Sequence, residues 1–200
     1  MKRYIVLGII IFFIGVLAAR VWVSSIAAPC PKDISSKQLA TWIIDSENTI
    51  TDVYPDYLYV QEAIGSTAVE LKNPQLLKGE FKLQFQLLSL TQTAKLYFKL
   101  QKENDIYEIE MNISANHSTA KLSKNNLFLL EKEIITIKPN IYYGISIEQQ
   151  NNLLTFSVNE NKALSMSITP QPVQLSIKLV GQPDNPAAFE LRDMQIIPLP

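Results

Sequence analysis

Phe81-Lys82-Leu83-Gln84-Phe85-Gln86-Leu87 alternates apolar and polar residues without a break. In an extended chain that period places Phe81, Leu83, Phe85 and Leu87 on one face and the lysine and glutamines on the other. Such a segment is a strand with one buried and one solvated side, as in antiparallel sheets. The same pattern recurs along the chain. Leu96, Phe98 and Leu100 alternate with Lys95, Lys99 and Gln101, and Tyr107, Ile109, Met111 and Ile113 with Glu108, Glu110 and Asn112. Tyr143, Ile145 and Ile147 follow it, then Leu154, Phe156 and Val158, then Val173, Leu175, Ile177 and Leu179.

Polar turns separate these runs: Glu103-Asn104-Asp105, Lys124-Asn125-Asn126, Gln149 to Asn152, Asn159-Glu160-Asn161 and Pro183-Asp184-Asn185-Pro186. Asn and Asp tolerate the left-handed backbone that tight hairpins need. Prolines 139, 170, 172, 183 and 186 fall between runs, where no ladder N–H is required. About twelve strands at hairpin spacing predict an all-β, two-sheet antiparallel sandwich. In the last run Phe189 and Leu191 share one parity, and Met194 and Ile196 the other. All four can face the core only if a residue bulges near Asp193 or the strand changes faces there. One short helix is expected over Ser35 to Ile44, capped by Ser35 or Ser36, with Leu39, Trp42 and Ile43 inward.

The N-terminus reads differently. Lys2 and Arg3 precede Ile5 to Ala19, which holds no charged residue. This is an export and membrane-targeting pattern. The unbroken run is shorter than the about 20 residues of a spanning helix. Beyond Arg20, however, Val21-Trp22-Val23 and Ile26-Ala27-Ala28 extend it, and Trp22 suits a membrane interface. Two outcomes follow. Either residues 1–28 persist as a single N-terminal hydrophobic helix that anchors the chain, with the N-terminus cytoplasmic and the domain outside, or cleavage near Ala27 leaves a secreted or periplasmic protein. The length of the stretch through Ala28 favours the anchor. Residues 29–38 then form a linker and 39–200 the β-sandwich domain. Cys30 is the single cysteine, and Pro29 before it argues against lipidation, so no internal disulfide staples the domain.

Composition excludes several functions. Net charge is −1 and the two signs are interspersed, so no basic surface for nucleic acid is expected. The lone histidine, His117, lies in the polar stretch Ser114 to Thr119, and a His/Cys zinc site is excluded. No cofactor or metal is expected. Asn112-Ile113-Ser114 and Asn116-His117-Ser118 are formal glycosylation sequons that matter only in a eukaryotic secretory route. The Lys- and Asn-rich, cysteine-poor composition reads as bacterial.

Several segments resemble the laminin G-like and concanavalin A-like jelly rolls, including domains similar to the 3-keto-disaccharide hydrolases. They are Trp42-Ile43-Ile44, Lys78-Gly79-Glu80-Phe81-Lys82-Leu83, Asp105-Ile106-Tyr107-Glu108-Ile109-Glu110, Ala120-Lys121-Leu122-Ser123-Lys124, Pro139 to Glu148, Leu154 to Asn159 and Phe189 to Ile196. The resemblance implies a fold and no catalytic motif. Glu103, Asp105 and Glu108 have a spacing that resembles the catalytic strand of family 16 glycoside hydrolases, which implies nucleophile, supporting carboxylate and acid/base roles respectively. Against that stand the turn position of Asn104-Asp105, the ordinary charged face continued by Glu110 and the absence of binding tryptophans. Binding is therefore favoured over catalysis, with no catalytic residue assigned. Sugar rings stack on exposed aromatics. Tyr97, between Lys95 and Lys99, and Tyr142, outward with Gly144, Ser146 and Glu148, are the expected ligand-binding residues if they share a sheet. Tyr57 and Tyr59 share a face of their own strand. The expected partners are the membrane and a glycan or a partner protein.

Overall fold

The computed structural model describes residues 42–44, 49–54, 56–63, 68–168, 172–182 and 184–200. Fourteen strands are described: β1 (Ile43–Ile44), β2 (Thr49–Val53), β3 (Tyr57–Glu62), β4 (Val69–Leu77), β5 (Phe81–Ser89), β6 (Ala94–Lys102), β7 (Asp105–Ile113), β8 (Ser118–Lys124), β9 (Leu127–Ile134), β10 (Tyr142–Gln150), β11 (Leu153–Val158), β12 (Asn161–Ser167), β13 (Val173–Val180) and β14 (Ala188–Pro198). They form two seven-stranded antiparallel sheets. One, sheet A, has the order β1-β4-β13-β6-β7-β8-β9, and the other, sheet B, β12-β11-β10-β5-β14-β3-β2. The meander β6 to β9 stays in sheet A and the meander β10 to β12 in sheet B. β13 and β14 then return one to each sheet. The expected two-sheet sandwich is therefore present.

The expected helix is corrected where it can be seen: Ile43–Ile44 form β1 and pair with Lys72 and Leu71 of β4. Trp42 before it is buried, as expected, whereas Ile43, expected inward, is exposed because the segment is an edge strand. The rest of that helix, residues 1–28 with their anchor or cleavage reading, the linker and Cys30 lie outside the described residues.

The alternation places the core. Phe81, Leu83, Phe85 and Leu87 of sheet B face Leu96, Phe98, Leu100, Ile109 and Met111 of sheet A, all buried. Phe98 packs tilted against Phe85 (ring centroids 6.0 Å) and Phe156 (5.8 Å), so one ring of sheet A wedges between two of sheet B. The turns use the asparagines. Both central residues of the β8–β9, β10–β11 and β11–β12 connections are left-handed: Asn125 and Asn126, Asn151 and Asn152, Asn159 and Glu160. This is the type I′ geometry that matches strand twist.

Three of the register irregularities among the described strands re-aim side chains. In β14, Arg192 pairs with Gln86 but Gln195 with Gln84, so one residue is extra, and Asp193 has φ 51°. The expected bulge near Asp193 is present, and it returns Met194 to the core. In β4, Lys72 pairs with Ser176 and Leu76 with Gln174, an irregularity that contains Pro74, which has no N–H to donate. In β9, Leu122 pairs with Leu130 but Ser123 with Phe128, which leaves Leu129 as the extra residue. Leu130 then packs against the core while Phe128 is exposed.

Candidate functional site

The outer face of sheet A is built from the residues that alternate with the core. Cross-strand register sets two neighbouring rows. Lys178, Tyr97, Glu110, Lys121 and Glu131 form one, and Ser176, Lys99, Glu108, Ser123 and Phe128 the other. Between β7, β8 and β9 the face is dished into a pocket of about 210 Å³ lined by Glu108, Glu110, Lys121, Ser123, Asn126 and Phe128. Lys121 Nζ sits 5.4 Å from the Phe128 ring centroid, and that residue is 54% exposed. The carboxylates are held from the β6 side: Lys95 Nζ lies 2.9 Å from Glu110 and Lys99 Nζ 3.5 Å from Glu108. The hydrogen bond to Glu110 raises the Lys95 pKa and fixes its ammonium. Tyr97 stands directly opposite Glu110, its hydroxyl pKa raised by burial and then by that carboxylate. Three strand spacings, about 14 Å, separate Tyr97 from Phe128. The pocket thus offers a ring at one side, a second ring beyond the other, and acceptors, an ammonium, a hydroxyl and an amide between.

The structure separates the sequence-derived residues. Tyr97 is on sheet A and Tyr142 on sheet B, so they do not share a platform. Glu103 lies in the β6–β7 turn with φ 43°. Asp105 is tied 2.9 Å to Lys124 and accepts a hydrogen bond from Asn125. Those two contacts, Lys124 first, lower its pKa. Asn125 also accepts from the Ile106 N–H, which clasps the two hairpin tips. Of the three carboxylates only Glu108 lines the pocket. The sequence reading missed Phe128. Its signal was the unbroken apolar run Leu127-Phe128-Leu129-Leu130 after Asn125-Asn126, which breaks period two.

Tyr142 belongs to a different assembly, on the outer face of sheet B. There Tyr142, Glu190 and Tyr59 share one row with Asp52, while Gln86, Arg192 and Tyr57 share the next. Tyr142 donates to Glu190 Oε2 at 2.5 Å, and Arg192 lies 3.4 Å from the same oxygen. The Arg192 guanidinium is 4.5 Å from the Tyr142 ring centroid and 5.0 Å from that of Tyr57. Tyr54 stacks on Tyr57 at 4.3 Å and 15°. Among the described residues the buried Arg192 Nε has no hydrogen-bond partner, and ring faces and one carboxylate hold this group. Burial first, then Tyr54 and Glu190, raise the pKa of Tyr57; burial and Asp52 raise that of Tyr59; burial and the Glu190 hydrogen bond raise that of Tyr142.

The fold is similar to that of several solved structures. The chain is similar to a protein of unknown function with a galectin-like fold from Bacillus subtilis, at 12% identity and TM-score 0.63, over 82% of this chain and 91% of that one. It is also similar to a Bacillus licheniformis β-glucanase (11% identity, 85% and 96% covered, TM-score 0.60). A third is the carbohydrate-binding module CBM66 from Bacillus subtilis (11% identity, 79% and 96% covered, TM-score 0.56). The fold is a galectin-like, concanavalin-like jelly roll. No protein-family model and no curated protein sequence matches the chain. At these identities the jelly roll fixes architecture, and the activity has to be argued from its surface.

Proposed function

We propose that this jelly roll is a carbohydrate-binding module that takes a neutral glycan in the β7–β8–β9 pocket of sheet A. The observation that carries the reading is one pocket in which the exposed ring of Phe128 meets Glu108, Glu110, Lys121, Ser123 and Asn126. A pyranose presents an apolar C–H face and a rim of hydroxyls, and it needs a ring to stack on beside groups that accept and donate. Glu108 and Glu110 accept from hydroxyls, Lys121 and Asn126 donate, and Ser123 does both. Tyr97, beyond Glu110, extends the surface for a short oligosaccharide lying across the strands. The lysines on both carboxylates keep the pocket close to neutral, which suits an uncharged ligand. That solved structures of similar fold include a carbohydrate-binding module and a glucanase supports the same substrate class.

The test is polysaccharide pull-down and glycan-array binding with the full-length chain. Phe128→Ala should weaken binding about tenfold through loss of stacking, and Glu108→Gln should weaken it as well, while Tyr142→Ala leaves it unchanged. A glycan whose binding ignores both sheet A substitutions, or no glycan signal at all, would overturn the reading.

The module is further proposed to be held extracytoplasmically by residues 1–28 as an N-terminal anchor. A tether concentrates the pocket at the membrane surface, so modest affinity suffices. The purified protein should keep the full-length mass and start at Met1, whereas a mature N-terminus near Ala28 shows cleavage instead.

A further inference from the structure

We infer that the outer face of sheet B is a second interaction surface, one that docks an arginine-bearing segment of a partner protein against Tyr54. The inference stands independently of the glycan reading, on the opposite sheet. Four of the chain's eight tyrosines, Tyr54, Tyr57, Tyr59 and Tyr142, gather on this face. Tyrosine and arginine are the residues that dominate interface energetics, because they bring large rigid area with a polar tip. Here they form one continuous stack that runs from the turn before β3 across β3, β14 and β5 to β10: Tyr54, Tyr57, Arg192, Tyr142. The stack ends at Tyr54, which is 41% exposed.

The occupant is argued from chemistry that the molecule already displays. Arg192 shows that a guanidinium is held on this face by tyrosine rings with a carboxylate beside it. Tyr54 offers the next ring in the same stack. Asp52, Asp56 and Glu190 stand near Tyr57 and Tyr59 in the same group, against Arg192 as the cation there among the described residues, so this part of the face carries about two excess negative charges. Arginine outranks lysine in this role, since its planar group stacks on a ring while its N–H groups reach carboxylates. A neutral sugar would use the ring but leave the acidic rim unmatched.

The experiment measures fluorescence anisotropy of the full-length protein with three labelled, end-blocked peptides: a Gly-Arg repeat and its lysine and glutamine counterparts. The arginine peptide should bind most tightly, the lysine peptide more weakly, and the glutamine peptide not detectably, with affinity falling as salt rises. Tyr54→Ala and Asp52→Asn should each weaken the arginine peptide about five- to tenfold. Tyr54→Phe keeps the ring and should retain binding, and Phe128→Ala on the other sheet should leave it unchanged. Tyr54 and Asp52 lie at the exposed edge of the sheet, and unchanged thermal unfolding of both variants checks that the fold is intact. Equal binding of the glutamine peptide overturns the inference. So does arginine-peptide binding that survives both Tyr54→Ala and Asp52→Asn, or that is lost on Phe128→Ala. An oligosaccharide that depends on Tyr54 while the arginine peptide fails to bind overturns it in favour of a second sugar site.

Discussion

Replacing Phe98 by alanine is expected to cost about 3–5 kcal/mol of folding stability, a large share of the about 5–15 kcal/mol that holds a domain of this size together. Phe98 is fully buried and reaches from β6 of sheet A to Phe85 of β5 and Phe156 of β11 in sheet B. The two sheets meet only through side chains, so a ring that touches two rings of the facing sheet cannot be removed without leaving a cavity between layers. Rigid backbones on both sides prevent that cavity from closing. Phe98→Leu removes less volume and should cost less. Urea unfolding should show the midpoint fall with an unchanged slope, and a loss below about 1 kcal/mol would mean the ring does not bridge the sheets as described. Phe156→Ala combined with Phe98→Ala should cost less than the sum of the two, because they share one contact.

The second large effect is expected at Gly181. A β-carbon there would lie 2.3 Å from the Ala187 nitrogen, 2.4 Å from Glu62 Oε2 and 2.8 Å from the Asn185 carbonyl oxygen. Two of these neighbours are backbone and cannot swing aside. Glu62, only 3% exposed, uses Oε2 to accept from the Gly181 N–H at 2.8 Å and the Ala187 N–H at 2.9 Å, and its own N–H donates to the Ala187 carbonyl. One carboxylate on β3 therefore closes the β13–β14 connection from 119 positions away. Gly181→Ala should destabilise by about 3 kcal/mol or more through forced displacement of that clasp. Glu62→Ala should cost about 2–5 kcal/mol, since it strands two N–H groups, one of them buried. The clasp also orients β14, which carries Glu190 and Arg192. Glu62→Ala should therefore weaken the arginine-peptide interaction while the glycan pocket on β7 to β9 is spared. Hydrogen exchange localised to residues 181–192 would report it.

Much of the fold was legible in single residues. Phe81 to Leu87 and its repeats declare their buried face through parity alone, because a strand can only alternate. The switch of parity between Leu191 and Met194 called for a bulge near Asp193 or a change of faces there, and the strand register resolves it as a bulge. The asparagine pairs declared the hairpins because few other residues accept positive φ cheaply. The candidate site was less legible. Glu103, Asp105 and Glu108 are neighbours in sequence, yet a turn, an ion pair and a pocket claim one each. Phe128 sat in an apolar run that reads as core, and only the Leu129 bulge turns it outward.

By itself, then, the sequence determined which residues of the regularly alternating strands are inside and where those strands end. Those are local properties of φ/ψ and of the two-residue period. Only the tertiary structure decided which strands are neighbours. β6 lies beside β7 and β13, whereas β10 lies beside β5 in the other sheet, so Tyr97 and Tyr142, outward in both readings, look away from each other. The same pairing carried Tyr57 to within reach of Arg192 and Tyr142 across β3, β14, β5 and β10. Strand adjacency follows from how two sheets close on a common core, a balance of long-range contacts that no local pattern encodes.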